Sequence, residues 1–211
     1  MKVTTFPVGP LGCNCSIVAD PRTQKAVVVD PGGDFDRIRE LLDAERLQVV
    51  SIVHTHTHID HVGATAPLAA WSGASPLIHE ADRFLYRMLP VQAVLLGVPV
   101  PETCDVEGTL TEGFSVHAGD LELGVIHTPG HTPGSVSFAL HADEGRVLFT
   151  GDTLFRRGIG RTDLWGGDSE TILRSLRNRI LAFDDDTLVI PGHGAETTIG
   201  DERRDNPFLT R

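Results

Sequence analysis

Val49-Val50-Ser51-Ile52-Val53-His54-Thr55-His56-Thr57-His58-Ile59-Asp60-His61 is the stretch from which the rest of the chain can be read. His56 and His58 stand two apart at the end of an apolar run. On an extended segment, period-two spacing turns both side chains to the same side. Asp60 and His61 follow where the chain must turn, with Gly63 next and a helix-like stretch to Trp71. A strand end and a helix start would therefore deliver four metal-binding groups to one small volume. Packing gives no reason for such spacing. His54 falls on the same face one step too early and reads as a residue that supports the ligands.

Three more donors lie just past strand-like runs, where a fold displays its binding groups. Pro129-Gly130-His131-Thr132-Pro133-Gly134 brackets a histidine with turn formers, and Pro191-Gly192-His193-Gly194 does the same after the apolar run 188–190. Gly151-Asp152 follows the run 147–150. Neutral imidazole suits zinc, iron and related ions, and carboxylates suit harder ones. A single surface histidine or turn aspartate is usually structural, and Asp60 has an alternative role as a helix N-cap. Seven donors together, His56, His58, Asp60, His61, His131, Asp152 and His193, call for a different explanation. His79, His117 and His141 have no partner at useful spacing. His127, four before His131, is a candidate for a supporting contact.

Strand and helix signals interleave around these donors. Residues 3–6, 15–19, 26–30 and those from 49 onward read as strands, as do 76–79, 114–117, 121–127, 136–140, 147–149 and 187–190. Helices are predicted from Asp34 as cap through 46, from the ligand turn to 71, over 80–89 and over 168–180. Residues 91–111, punctuated by Pro and Gly, read as a long loop with one helical turn and as a wall of the site. Helices separated by batches of strands give an α+β chain of two packed sheets with helices outside. The 211 residues, 40% hydrophobic and 22% charged, fit one soluble domain spanning 1–211. A net charge of -11 disfavours nonspecific nucleic acid or an anionic membrane as partner. No stretch is long enough to span a bilayer, and the first five residues lack the apolar core of a signal peptide. Cys13, Cys15 and Cys104 cannot all pair, so a reducing cytoplasm is the simplest location. A thiolate metal site at Cys13 and Cys15 lacks a second pair to complete it. No pattern encodes the oligomeric state.

The run Thr55 to His61, with His131, Asp152 and His193, resembles the metallo-β-lactamase superfamily. Thr128-Pro129-Gly130-His131-Thr132-Pro133-Gly134-Ser135, Phe149-Thr150-Gly151-Asp152-Thr153-Leu154-Phe155, Gly160-Arg161-Thr162-Asp163 and Pro191-Gly192-His193-Gly194 are similar to its glyoxalase II-like (hydroxyacylglutathione hydrolase) branch. The likeness runs from about Leu11 to the Arg203-Arg204-Asp205-Asn206-Pro207 tail. It implies an αββα four-layer sandwich with the metal site at one edge of the two sheets. It also implies two divalent ions: His56, His58 and His131 hold one, Asp60, His61 and His193 the other, and Asp152 bridges them. Zinc is expected first, with iron or manganese compatible with the same donors. The implied reaction is attack by a metal-bridging hydroxide, oriented by Asp60, on a thioester such as S-lactoylglutathione, releasing a hydroxy acid and free thiol. A thiol with a pKa near 8.5 leaves without a dedicated general acid.

Two departures qualify the likeness. Longer glyoxalase II enzymes carry a C-terminal helical domain that supplies much of the glutathione site, and only a short tail follows His193 here. Weaker or altered glutathione recognition is therefore expected. Arg161 falls where the family places a basic substrate contact, and Asp163 where an aromatic residue is frequent. Arg161 is accordingly expected to bind substrate, with an ion pair to Asp163 as its alternative. Competing functions on this scaffold are a mono-iron persulfide dioxygenase, which shares the Gly160–Asp163 stretch, and a lactonase or β-lactamase. Pro191-Gly192-His193-Gly194 favours the hydrolase over the dioxygenase.

Overall fold

The structure, a computed structural model, describes residues 1–106, 110–142 and 145–210. Among these residues two sheets pack face to face. The first has the order β1-β2-β3-β4-β5, built from Lys2–Val8, Cys13–Asp20, Lys25–Val29, Gln48–Val53 and Pro76–Leu77. Its first three strands are antiparallel, and β3, β4 and β5 run parallel. The helix α1 (Phe35–Ala44) makes the crossover between β3 and β4, as a parallel pair requires. The second sheet contains β6 (Ser115–Ala118), β7 (Leu121–His127), β8 (Val136–Ala142), β9 (Gly145–Gly151), β12 (Leu188–Pro191) and β13 (Thr197–Thr198), in the order β13-β12-β9-β8-β7-β6. A small hairpin, β10 (Leu154–Phe155) with β11 (Gly158–Ile159), follows β9.

Alternation within single strands separates the layers. In β3, Val27 and Val29 join the core between the sheets, while Ala26 and Val28 face the outer core. That outer core includes Ile38 and Leu42 of α1, and Leu68 of α3 (Thr65–Ser72). In β8 and β9, Phe138, Leu140 and Phe149 point between the sheets, while Ala139 and Leu148 meet Ile172 and Leu176 of α6 (Ser169–Asn178). Strands buried on both faces are near-continuously apolar, as 26–29 and 147–149 are. The resulting layers are helix, sheet, sheet and helix, the expected αββα sandwich. No helix among the described residues is long and apolar enough to cross a membrane.

Several elements differ from the sequence reading. Asp34 does not cap α1 with its side chain; it has φ 51°, and its carboxylate accepts from the Gly9 N–H at 2.9 Å. The helix predicted from the ligand turn to 71 is broken into α2 (Ile59–Val62) and α3. The break falls where Gly63 packs so tightly that a Cβ would lie 2.3 Å from the Gly32 carbonyl oxygen. The stretch 80–89 forms a short 3-10 turn and then α4 (Arg83–Arg87). The predicted loop 91–111 begins as helix instead, α5 (Leu89–Leu96). Pro90 sits in its first turn, where a missing N–H costs nothing, and Gly97 ends it at φ 66°. Residues 107–109 of that loop lie outside the described residues. The hairpin β10–β11 and the final helix α7 (Ile199–Asp205) were not anticipated. Thr198 caps α7 by accepting from the Asp201 N–H at 3.1 Å.

Candidate metal centre

All seven predicted donors meet where strands of both sheets end. His56 and His58 follow β4, Asp60 and His61 ride on α2, and His131 lies in the turn between β7 and β8. Asp152 follows β9 and His193 follows β12. Their donor atoms fall into overlapping groups within 4.8 Å: His56-His58-His131, Asp60-His61-His193 and His56-His61-Asp152. His56, His58, His61 and His131 are buried, whereas His193, Asp60 and Asp152 keep 28%, 15% and 14% of their side chains exposed, so the centre opens on the side of these three.

Hydrogen bonds behind the centre fix which ring nitrogen faces inward. His131 Nδ1 donates to the Arg161 carbonyl at 2.7 Å, so the neutral ring turns a bare Nε2 toward the site. Thr55 Oγ1 donates to Asp30 Oδ2 at 2.6 Å and therefore accepts from His56 Nδ1 at 3.1 Å. His56 Nε2 is then bare as well. Both Nε2 atoms face His58 Nδ1, at 3.1 Å from His56 and 2.9 Å from His131. One proton on His58 Nδ1 can serve only one of them, whereas a cation satisfies all three nitrogens. Burial, with neighbouring histidines as the next cause, pulls His56 well below the ordinary imidazole range and His58 to about 3. The rings are held neutral, as ligands must be.

The second group calls for positive charge just as clearly. His61 Nδ1 donates to Asp30 Oδ2 at 3.1 Å. Its Nε2 lies 3.4 Å from Asp152 Oδ1 and 3.7 Å from Asp60 Oδ2, and is buried without a hydrogen-bond partner. Asp152 Oδ1 is also buried and unpartnered. His193 Nε2 stands 3.0 Å from Asp60 Oδ2. Burial pushes Asp60 and Asp152 up, but His61 and the other nearby histidines outweigh it and hold both carboxyls below their ordinary values. Orphaned buried atoms of this kind are what a bound cation repairs. Gly192 allows the close approach: a Cβ there would sit 2.2 Å from Asp152 Oδ1.

His54 is buried outside the donor groups, with Nδ1 3.2 Å from the His61 carbonyl oxygen and Nε2 3.2 Å from Thr65 Oγ1. His127 Nε2 donates to the Pro133 carbonyl at 3.0 Å, and its ring stacks on His79 at 4.2 Å. Cys13 does come within reach of Asp30 and His61, but burial pushes its thiol up to about 12, and Cys15 belongs to the outer core. Arg161 forms the alternative ion pair, with Nε 2.7 Å and Nη2 2.8 Å from the Asp163 carboxylate. Three groups beside the centre went unseen in the sequence. Asp30 is one. Asp82 accepts from the Thr57 N–H at 3.2 Å, Thr132 Oγ1 at 2.8 Å and the Gly134 N–H at 2.6 Å, joining the two histidine loops. Gln92 of α5 accepts from the Ile59 N–H at 2.9 Å.

An αββα sandwich with paired histidine and aspartate donors at its strand ends defines a class of metal-site proteins. The chain belongs to the metallo-β-lactamase superfamily, whose family model matches residues 8–193. It is 38% identical over 216 residues to hydroxyacylglutathione hydrolase GloC of Haemophilus influenzae, covering 99% of this chain and 98% of that protein. The BLEG-1 B3 metallo-β-lactamase structure is similar with a TM-score of 0.92 and 38% identity, covering 100% of both chains. TTHA1623, solved in a di-iron-bound form, has a TM-score of 0.88 and 37% identity, covering 98% of this chain and 100% of that one.

Proposed function

We propose that this chain is a dinuclear metal-dependent thioester hydrolase, with glutathione conjugates such as S-lactoylglutathione among its substrates. The observation that carries the reading is the convergence of seven donors into two groups that share Asp152. His56, His58 and His131 would hold one ion, and Asp60, His61 and His193 the other. Asp152 turns Oδ2 toward His131, 3.6 Å away, and Oδ1 toward His61 and His193, so it suits a bridging role. The complete second group supports two ions over the single iron of a dioxygenase. When bound, such ions supply hydroxide at neutral pH by lowering the pKa of water to about 7, and they polarise a carbonyl.

The chain's own residues do the rest. Asp60, at the open side, orients the attacking oxygen. Arg161 and the Nδ1 bond from His131 to its carbonyl hold the opposite wall in place. Water adds across the acyl C–S bond: its oxygen goes to the acyl carbon, and sulfur leaves with the bonding pair. The thiolate leaves readily because thiols ionise near pH 8.5, so no side chain need donate to it. Arg161 is the candidate contact for an anionic thiol, competing with its Asp163 partner, which supports weak glutathione recognition. Likeness to GloC supports the glutathione conjugate, and likeness to the iron-bound relative supports iron as a candidate metal beside zinc. Likeness to BLEG-1 supports a second reading, hydrolysis of β-lactams at the same centre.

The test is hydrolysis of S-lactoylglutathione by metal-analysed protein beside an Asp60→Ala variant. Turnover with two ions per chain, lost in the variant, is expected. Lactam cleavage without thioesterase activity would move the reading to the second substrate class. One bound iron with oxygen uptake would replace it by the dioxygenase.

A further inference from the structure

Beside Asp60 the surface opens into a cavity of about 200 Å³ that the proposed chemistry leaves unassigned. Its walls come from three separate places in the chain: Leu11 in the β1–β2 turn, Ile59 at the start of α2, and Val98, Pro99 and Pro101 after α5. Among the described residues lining it, Asp60 is the only charged one. The floor is backbone, contributed by Gly32, Gly33 and Gly63. Leu11 is 43% exposed and Val98 half-buried, so these apolar walls face an opening that nothing among the described residues fills. Val98, Pro99 and Pro101 belong to the segment 91–111 expected to wall the site, and they bring hydrocarbon to this cavity.

We propose that this cavity is an acyl pocket, selecting thioesters with an apolar aliphatic or aromatic acyl group over hydroxyacyl ones. The inference rests on the thioester reading above and names its substrate class more narrowly. A carbonyl over the donor groups carries two substituents that point apart. On the His131 side lies the charged, solvated Arg161–Asp163 pair, which suits the polar thiol portion. On the Asp60 side lies the apolar cavity, which suits the acyl chain. Among the side chains lining it, only Asp60 can pair with a buried hydroxyl, and an unpaired buried hydroxyl is costly. An apolar cavity of about 150 Å³ is enough for benzene, so this one accepts a phenyl group or a chain of about six carbons.

The experiment varies the acyl group on two thiols, glutathione and the small uncharged N-acetylcysteamine, so that acyl preference is read apart from thiol recognition. Hexanoyl thioesters should exceed lactoyl thioesters in kcat/KM by at least about tenfold on both thiols, since each buried methylene is worth about fourfold. Val98→Ser should lower the hexanoyl value more than the lactoyl value. Calorimetric binding of acetate, butyrate and hexanoate to the purified protein supplies a readout without turnover. Affinity should rise along that series and flatten in Val98→Ser. If no thioester is cleaved while hexanoate still binds through Val98, the thioester reading falls and the apolar pocket stands. If lactoyl thioesters are cleaved as well as hexanoyl ones and carboxylate affinity ignores chain length, the pocket is overturned and the hydrolase remains.

Discussion

Asp30 follows β3 in the left-handed region, φ 49°, and its carboxylate accepts from the Thr55 N–H at 2.7 Å, from Thr55 Oγ1 and from His61 Nδ1. One side chain thus orients a candidate ligand of each donor group, His56 through Thr55 and His61 directly. Asp30→Ala would leave the Thr55 N–H buried without a partner, costing about 1–3 kcal/mol. It would also free the His61 ring to choose its tautomer. Metal affinity should fall about 10–100-fold, as when other groups behind ligands are removed. Titration with zinc, following occupancy of both sites, checks this; wild-type affinity at both would refute the role. The seven donors are legible in the sequence because strand alternation and bracketing turns act locally. Asp30 is not, because Asp-Pro-Gly-Gly at a strand end reads as a turn. Asp82 is equally hidden: it meets Thr57 and Thr132, each the residue after a predicted ligand, 25 and 50 positions away.

At the scale of elements, α5 shows how a helix can escape a sequence reading. Pro90, Gly97, Pro99 and Pro101 look like loop punctuation, and Val94, Leu95 and Leu96 are exposed, so no polar face marks the helical period. Tertiary anchoring settles it instead. Gln92 is buried, accepts from the Ile59 N–H, and donates to the Leu85 carbonyl at 2.9 Å. It therefore satisfies the first turn of α2, where His58 makes no side-chain cap. Gln92→Ala should lower stability by about 1–3 kcal/mol and loosen the short helix that carries Asp60 and His61. Denaturant unfolding and metal titration together read this out, with the Asp60-His61-His193 group weakened more than the His56-His58-His131 group. An unchanged midpoint would show that α2 holds its place without α5. By contrast, α6 is legible because Ile172 and Leu176 mark one face and Asp168 caps it, accepting from the Thr171 N–H at 2.7 Å.

Across the whole molecule the donors come from both sheets, with His56 and His58 after β4 of the first and Asp152 and His193 after β9 and β12 of the second. Ions bound there would clamp the sandwich at its edge. A ligand that binds only the folded chain at 1,000 times its Kd adds about 4 kcal/mol, which for about 200 residues is about 10 °C in Tm. Chelation should lower the midpoint by that order, and zinc, manganese or iron should restore it; a midpoint indifferent to chelator would deny the clamp. The metal-free protein should also be acid-labile. Burial pulls His54 to about 4 and His58 to about 3 from the ordinary 6.5. As pH falls below 6.5, the unfolded chain takes up protons that the folded chain refuses, so the stability present above 6.5 is lost. His54 alone accounts for on the order of 3 kcal/mol by pH 4. Asp82 acts in the opposite sense: burial raises it to about 6 from 3.8, so its contribution is full below 3.8 and is lost as pH rises through about 6. Two buried histidines with the larger shifts outweigh one carboxyl, so the unfolding midpoint should fall between pH 6.5 and 4. Asp82→Asn, which removes the opposing titration, should make that fall steeper; an equal or shallower fall would mean that Asp82 stays ionised throughout.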